Sequence, residues 1–197
     1  VLAEAKELWS LILWSSLNRE GRLPCPSRVI KELADRVPDD TIVSVGAGMH
    51  LLYPVAFMPC KHPLTYLSPA NFLSMGFGLA AAMGAKMVHP ERTVLAVLGD
   101  GDFMMTVQDL ETAVREGIDI KVLILNDFRY RVLNWRQRIQ FGGRVLGTEH
   151  GNPDFADLAR CFGASGYSLD APEKIGPVLD AALSQSGPVL IDVIIDP

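Results

Sequence analysis

The sequence lacks the hydrophobic length that a membrane-spanning helix requires. Its most apolar long stretch, residues 8–17, has ten residues and contains three serines, whereas a spanning helix needs about 20 apolar residues. No positively charged leader followed by a small-residue cleavage site is recognised, so a secretory signal is not expected. We therefore expect a cytoplasmic protein that has no membrane partner.

Cysteine and basic residues are also sparse. The three cysteines Cys25, Cys60 and Cys161 lie far apart in the sequence and form no metal-ligand spacing, and an odd number fits reduced thiols. The net charge of −5, with no basic run to override it, argues against a nucleic-acid partner. What remains is an ordinary globular composition, 49% hydrophobic and 21% charged.

Helices and strands alternate from Ser27 onward, and most of the strands are continuously apolar. Strands are predicted at 41–45, 64–67 (weaker), 93–98, 121–126, near 165–169 and at 189–195. Helices are predicted from Ser27, as a capping residue, to Val37, then at 74–88, 107–116, near 130–140, and at 154–161 and 172–186. Met83, Met104 and Met105 are expected in the core. This pattern predicts a three-layer, doubly wound α/β domain with a flavodoxin-like parallel sheet of about six strands.

The segment "LAVLGDGDFMM", residues 95–105, places an acidic residue between two glycines at the end of a predicted strand. Ligands bind beyond the carboxyl ends of the strands in doubly wound sheets. The 24 residues between Gly101 and Asn126 leave room for one helix, one strand and two turns. Asp100 and Asn126-Asp127 are therefore predicted to follow neighbouring strands.

Carboxylate and amide oxygens at that edge are hard ligands that suit Mg²⁺, which usually keeps substrate phosphates as its remaining ligands. The backbone amides after Gly101 can hold a phosphate at the start of a helix. The alternative is a capping aspartate in a glycine turn beside an unrelated Asn-Asp loop. A dinucleotide site is disfavoured, because Leu51 stands where Gly46-Ala47-Gly48 would need a third glycine, and no acid lies near position 66.

A Gly-Asp-Gly followed some 24 to 27 residues later by Asn-Asn or Asn-Asp is typical of thiamine-diphosphate enzymes. Residues 71–127 resemble the diphosphate-binding domain of acetolactate synthases and related 2-oxo-acid decarboxylases and carboligases. The similarity continues through "NWRQ" (134–137) and "NPDFADLARCFGA" (152–164) to "GPVLIDVIID", and covers residues 27–196. It implies thiamine diphosphate and Mg²⁺ as cofactors.

The resemblance also implies roles for particular residues. Asp100 and Asp127 correspond to side-chain Mg²⁺ ligands, and Arg129 to a ligand through its backbone carbonyl. Met75 corresponds to the apolar wedge that bends the cofactor, and the backbones of Leu73 and Met75 to contacts of its aminopyrimidine ring. The implied contacts of the diphosphate end are Gly46, Ala47, Gly48, Met49 and His50 in one loop, then Gly99, Gly101, Asp102 and Asn126. His50 is alternatively an ordinary polar residue at a helix start.

The sequence departs from the family at Arg131 and Val132, where glycine followed by methionine or another apolar residue is usual. A long cation there is expected to change substrate choice or to fill the pocket. Trp135 is similar to an aromatic residue that lies near substrate in acetolactate synthases, or is an ordinary amphipathic-helix anchor. These three residues are the candidate substrate contacts.

Family members bind the aminopyrimidine with a second domain, which supplies a catalytic glutamate, and no segment here resembles it. We interpret residues 1–26 as an amphipathic helix (2–17) and a linker to a missing upstream domain, and residues 27–197 as the diphosphate-binding domain. The predicted activity is decarboxylation of a 2-oxo acid such as pyruvate, followed by carboligation. The alternatives are one subunit of a two-subunit 2-oxo-acid decarboxylase, or an inactive cofactor-binding module that regulates a partner. A homo- or hetero-oligomer containing the pyrimidine-binding domain or subunit is expected.

Overall fold

The computed structural model describes residues 15–17 and 19–196. The strands are β1 (Ile42–Val45), β2 (Tyr66–Leu67), β3 (Val94–Gly99), β4 (Lys121–Asn126), β5 (Ser165–Leu169) and β6 (Val189–Ile194). The helices are α1 (Pro26–Ala34), α2 (Leu52–Phe57), α3 (Phe77–Val88), α4 (Asp100–Phe103), α5 (Asp109–Arg115), α6 (Arg131–Gln140), α7 (Phe155–Phe162) and α8 (Ile175–Ser184). Two 3₁₀ turns, Met49–Leu51 and Pro172–Lys174, precede α2 and α8.

The six strands form one parallel sheet in the order β2-β1-β3-β4-β6-β5. This confirms the predicted α/β class and the number of strands. After β1 the chain moves to β2 on one side, and it then returns to β3 on the other side of β1. The topological switch point of the sheet therefore lies between the carboxyl ends of β1 and β3, where ligands bind in open α/β sheets.

Two hydrophobic cores cover the two faces of the sheet. Alternate residues of a strand point to opposite faces, so Leu95 and Val97 lie in one core and Ala96 and Leu98 in the other. The first core is completed by α1, α2 and α8, and the second by α3, α5 and α7. This two-sided burial explains why the central strands are apolar at nearly every position.

Several predicted boundaries were wrong. Ser27 does not cap the first helix, since Cys25 is the capping residue, Pro26 occupies the first turn, and Ser27 is buried inside α1, which ends at Ala34. Proline suits the first turn because its missing N–H would be unpaired there anyway. Met104 and Met105 are 41% and 48% exposed rather than core residues, because the short helix α4 turns the chain outward.

The helix predicted over 2–17 lies outside the described residues except for 15–17, which are helical. The short α2 and the 3₁₀ turn before it were not predicted. Within the part of the chain that the structure describes, no helix is long and apolar enough to cross a membrane.

Candidate functional site

An open cleft lies at the carboxyl ends of β1, β3 and β4, and its empty volume is about 550 Å³. Most of the residues singled out in the sequence line it. They are Ala47, Gly48, Met49, His50, Met75, Gly99, Asp100, Gly101, Asp102, Asp127, Arg129, Arg131 and Val132, joined by Tyr53, Leu125, Tyr130, Leu133 and Ile195. The cleft therefore sits at the switch point, as the topology requires.

Four predicted site residues do not line the cleft. Gly46 lies behind Asp102, Leu73 is 55% exposed, and Trp135 is 55% exposed on α6. Asn126 is buried, and its side chain donates a hydrogen bond to Asp192 Oδ1 at 3.0 Å. The Asn126 side chain therefore hydrogen-bonds to Asp192 and does not line the cleft.

The carboxylate of Asp100 is held by an asparagine that sequence reasoning missed. Asn152 Nδ2 donates to Asp100 Oδ2 at 2.7 Å and to Asn126 Oδ1 at 2.8 Å. Asn126 in turn donates to Asp192, whose Oδ2 accepts from the Phe155 amide at 3.4 Å. This network fixes the orientation of Asp100 from the loop that precedes α7.

One of these supporting residues carries a signal in the sequence. Asp192 is the only charged residue in the apolar strand "VLIDVI", and a buried carboxylate requires polar partners. Asn152 gives no such signal in the sequence, because its hydrogen-bond partners are distant along the chain. Asn126 lies 26 residues and Asp100 lies 52 residues before it. His150, two residues before it, places Nε2 3.8 Å from Asp100 Oδ2.

Asp127 follows β4 and forms an ion pair with Arg131 at the start of α6. Arg131 Nε lies 2.5 Å from Asp127 Oδ2, and the Asp127 side chain is 5% exposed. Burial raises the pKa of Asp127. The positive charge of Arg131 lowers this pKa, and the negative charge of Asp100 raises it further.

The loop between Asp127 and α6 is conformationally constrained. Phe128 has a positive φ of 59°, which is uncommon for a bulky residue. Arg129 forms an isolated antiparallel bridge with Glu149, and Tyr130 N donates to the Thr148 carbonyl at 2.8 Å. Backbone hydrogen bonds with residues 148–150 therefore fix the conformation of this loop.

Gly101 permits a close approach of side chains to the loop after β3. A Cβ atom at this position would lie 2.4 Å from Tyr130 Cε1 and 3.2 Å from His150 Nε2. The Tyr130 and His150 rings pack with their centroids 4.7 Å apart. Only glycine fits here, and its backbone is available to a ligand in the cleft.

His50 lies in the 3₁₀ turn after β1, and its side chain is also part of the cleft lining. It is 6% exposed, and burial lowers its pKa to about 4. Its Nε2 has no hydrogen-bond partner and lies 3.7 Å from Asp102 Oδ2. Burial raises the pKa of Asp102 to about 6. The hydrogen bonds that its carboxylate accepts from the backbone amides of Gly76 and Ala47 act in the opposite direction and lower this pKa.

The donors at the cleft fit a diphosphate held with a divalent cation. Two buried carboxylates, Asp100 and Asp127, follow adjacent strands. Among the described residues, no three His, Cys, Asp or Glu side chains are grouped as a metal site. Two side-chain ligands therefore leave the remaining positions to carbonyl, water or phosphate oxygens, as Mg²⁺ prefers.

Comparison with protein families decides which ligand this is. Residues 46–193 match the model of the thiamine pyrophosphate enzyme C-terminal TPP-binding domain. The chain belongs to this family. The family binds thiamine diphosphate, which is the same compound as thiamine pyrophosphate, with Mg²⁺ held through its diphosphate-binding motif.

Among the curated relatives of this TPP-binding domain are acetolactate synthases. It is 34% identical to the isozyme 2 large subunit of Escherichia coli (strain K12) over 85% of this chain and 31% of that protein. It is 31% identical to the mitochondrial catalytic subunit of Aspergillus candidus over 97% of this chain and 28% of that protein. The identity to acetolactate synthase of Bacillus subtilis (strain 168) is 32% over 87% of this chain and 30% of that protein. The chain thus spans about a third of the length of these relatives.

Proposed function

We propose that this TPP-binding domain is the diphosphate- and Mg²⁺-binding part of an acetolactate-synthase-like carboligase. The complete enzyme decarboxylates a 2-oxo acid such as pyruvate and joins the product to a second carbonyl compound. One observation carries the proposal: Asp100 and Asp127 are buried at the ends of two hydrogen-bonded strands. Their placement beside a glycine-lined cleft supports binding of a metal-diphosphate unit.

In this proposal Mg²⁺ is held by the carboxylates of Asp100 and Asp127 and by the carbonyl of Arg129. The amides of Gly101 and Asp102, together with the 46–50 loop, hold the diphosphate. Asn152 keeps Asp100 oriented toward the metal. His50 is uncharged at neutral pH because its pKa is about 4, so it adds no cation next to the diphosphate.

Bound thiamine diphosphate supplies the electron sink for decarboxylation. The chain's own part is to orient the cofactor and exclude water from one side of it. Met75 lines the cleft and is 37% exposed, which supports its role as the wedge beneath a bent cofactor, with the backbones of Leu73 and Met75 at the aminopyrimidine. Arg131 and Val132 border the cleft on the side proposed for substrate, with Trp135 further along α6.

The test of this proposal is cofactor-dependent thermal stabilisation. Wild type and Asp100→Ala are unfolded with and without thiamine diphosphate plus Mg²⁺, and Asp170→Ala, which changes an exposed ion pair, is the control. A ligand that binds only the native state raises the Tm. We expect a rise in wild type and in the control, and none in Asp100→Ala. An equal rise in Asp100→Ala would remove that carboxylate from the site.

One observation favours a second candidate, an inactive regulatory module. Arg131 pairs with Asp127, one of the two proposed metal ligands. A module of this kind would bind thiamine diphosphate plus Mg²⁺, but would not turn over a 2-oxo acid even when joined to a pyrimidine-binding domain that carries the glutamate. Turnover in that assembly argues for the enzyme.

A further inference from the structure

The buried Asp102 carboxylate connects three loops that come from distant parts of the sequence. Its Oδ1 accepts hydrogen bonds from the amides of Gly76, at 2.9 Å, and Ala47, at 3.2 Å. Ala47 belongs to the loop after β1, Gly76 to the turn before α3, and Asp102 to the helix after β3. Asp102 is only 2% exposed, so water does not compete for these bonds.

The surroundings of this carboxylate leave no room for other side chains. A Cβ atom at Gly46 would lie 1.6 Å from Asp102 Oδ2. Gly76 has a φ of +83°, and a Cβ atom there would lie 2.8 Å from Thr106 Cγ2. Glycine at both positions is therefore what allows two backbones to close around one carboxylate.

Both backbone polar groups of Gly76 form hydrogen bonds with residues of the segment after β3. Its amide donates to Asp102, and its carbonyl accepts from Thr106 Oγ1 at 3.2 Å. In the segment before it, Phe72 is 92% exposed, and Leu73 has a positive φ of 49° and donates its amide to the Pro69 carbonyl at 2.7 Å. Met75 comes directly before Gly76, so the two bonds of Gly76 join its backbone to the segment after β3.

We propose that Asp102 is a positioning residue that acts through its side chain: it fixes the 46–50 loop and Gly76, and through Gly76 the side chain of Met75, relative to the loop after β3. This goes beyond the backbone contact with diphosphate expected of residue 102. The mechanical part of the inference stands on the hydrogen bonds alone. Its consequence for the cofactor rests on the proposed function.

Amide hydrogen exchange in the full chain tests the mechanical part. Asp102→Ala removes the acceptor, whereas Asp102→Asn keeps Oδ1 in nearly the same shape. Because Asp102 Oδ1 is the shared acceptor of both amides, we expect Asp102→Ala to speed exchange at Ala47 and Gly76 about tenfold or more. Exchange at Ile124, in the centre of β4, serves as the measure of global unfolding. Asp102→Asn should remain close to wild type at all three amides.

Gly46→Ala is a second route if Asp102→Ala fails to fold. The added Cβ pushes the carboxylate aside without deleting it, and the same two amides should exchange faster. The inference is overturned if Ala47 and Gly76 exchange at the wild-type rate in the variant, or if Ile124 accelerates by the same factor.

A second measurement follows the effect on the cofactor site. The methyl resonance of Met75 should shift or broaden in Asp102→Ala, and the Kd for thiamine diphosphate plus Mg²⁺ should weaken about tenfold, as loss of one ordered contact predicts. Asp102→Asn should restore both, and Asp170→Ala should change neither. If wild type binds no cofactor, the proposed function fails while the exchange result still decides the role of Asp102. An unshifted Met75 methyl resonance would overturn the link to the wedge.

Discussion

At the scale of single residues, several ionisable side chains near the cleft have pKa values displaced chiefly by burial. The pKa of His50 is lowered to about 4, and those of Asp102 and Asp192 are raised to about 6. Burial penalises the charged form of each group, which explains the opposite directions for a base and an acid. At neutral pH the imidazole is uncharged and both carboxylates are ionised.

His50 makes the stability of the cofactor-free chain depend on pH. Its pKa is about 4 in the native state and about 6.5 in the unfolded state, so the unfolded chain binds more protons between these values. The contribution of His50 is therefore present above about pH 6.5 and is lost as the pH falls towards 4. Asp102 and Asp192 act in the opposite direction between about pH 4 and 6, because their native forms hold the extra proton.

Replacing His50 isolates its share of this dependence. We expect His50→Gln to lose less stability than wild type on acidification from about pH 7 to 4.5, with a difference of up to about 3 kcal/mol. Urea unfolding of both proteins across this range measures it. Parallel profiles would show that the imidazole titrates normally in the native chain.

Two glycine substitutions should have opposite effects. At Gly101 a methyl group would meet the Tyr130 ring at 2.4 Å, whereas at Gly84, inside α3, nothing lies within 4 Å. Gly101→Ala should therefore cost about 1–3 kcal/mol through overpacking and weaken cofactor binding. Gly84→Ala should stabilise by about 0.5–1 kcal/mol, because alanine is the better helix former.

Chemical denaturation of both variants measures these free energies of unfolding. A neutral Gly101→Ala variant that binds cofactor as wild type does would contradict the close packing proposed for that loop.

At the scale of elements, helix α6 begins with Arg131. Arg131 lines the cleft, contacts Asp127, and also donates to the carbonyl of Asp196. A guanidinium freed from Asp127 by Mg²⁺ can bind a second carboxylate through two parallel hydrogen bonds. This would favour an acidic substrate or acceptor.

In the complete enzyme, Arg131→Gly should therefore lower kcat/KM for dicarboxylic or sulfonated 2-oxo acids more than for pyruvate. Arg136→Gly is a control on the same helix, since Arg136 pairs only with Gln140 among the interactions of the described chain. Equal losses for both kinds of substrate would mean that Arg131 does not recognise an acidic group.

The sequence predicted the six strands because burial on both faces makes their composition distinctive. It also predicted that Asp100 and Asp127 lie at the same edge, since the carboxyl ends of neighbouring parallel strands lie at one edge of the sheet. It did not predict α2, because "LYPVAF" is six residues long and contains a proline. The support of Asp100 by Asn152, and the use of one Asp102 oxygen by two loops, depend on contacts between distant segments that no local pattern encodes.

At the scale of the whole molecule, the cleft is bordered by apolar side chains that remain exposed. They include Met75, Val132 and Leu133, each at least 37% exposed. An apolar border of this kind around an open cleft is typical of a surface that a partner covers. It fits the expectation from the sequence that a pyrimidine-binding domain or subunit, carrying the catalytic glutamate, completes the site.

From this we expect the 197-residue chain alone to bind thiamine diphosphate weakly and not to turn over pyruvate. Half a cleft stays open to water, and electrostatic stabilisation of a reaction needs a dry, preorganised site. Adding the pyrimidine-binding domain, in the same chain or as a separate subunit, should restore activity. Turnover by the chain alone at rates near the ~10 s⁻¹ typical of enzymes would contradict this.

The most direct test of the central claim, metal-dependent binding of a diphosphate at the strand ends, is an NMR titration of this chain. The amide resonance of Gly101 is followed as thiamine diphosphate is added with and without Mg²⁺, in wild type and in Asp127→Asn. We predict a saturable shift in wild type that requires Mg²⁺, and a much weaker one in Asp127→Asn. A shift that is the same without Mg²⁺, or unchanged in Asp127→Asn, would contradict the account.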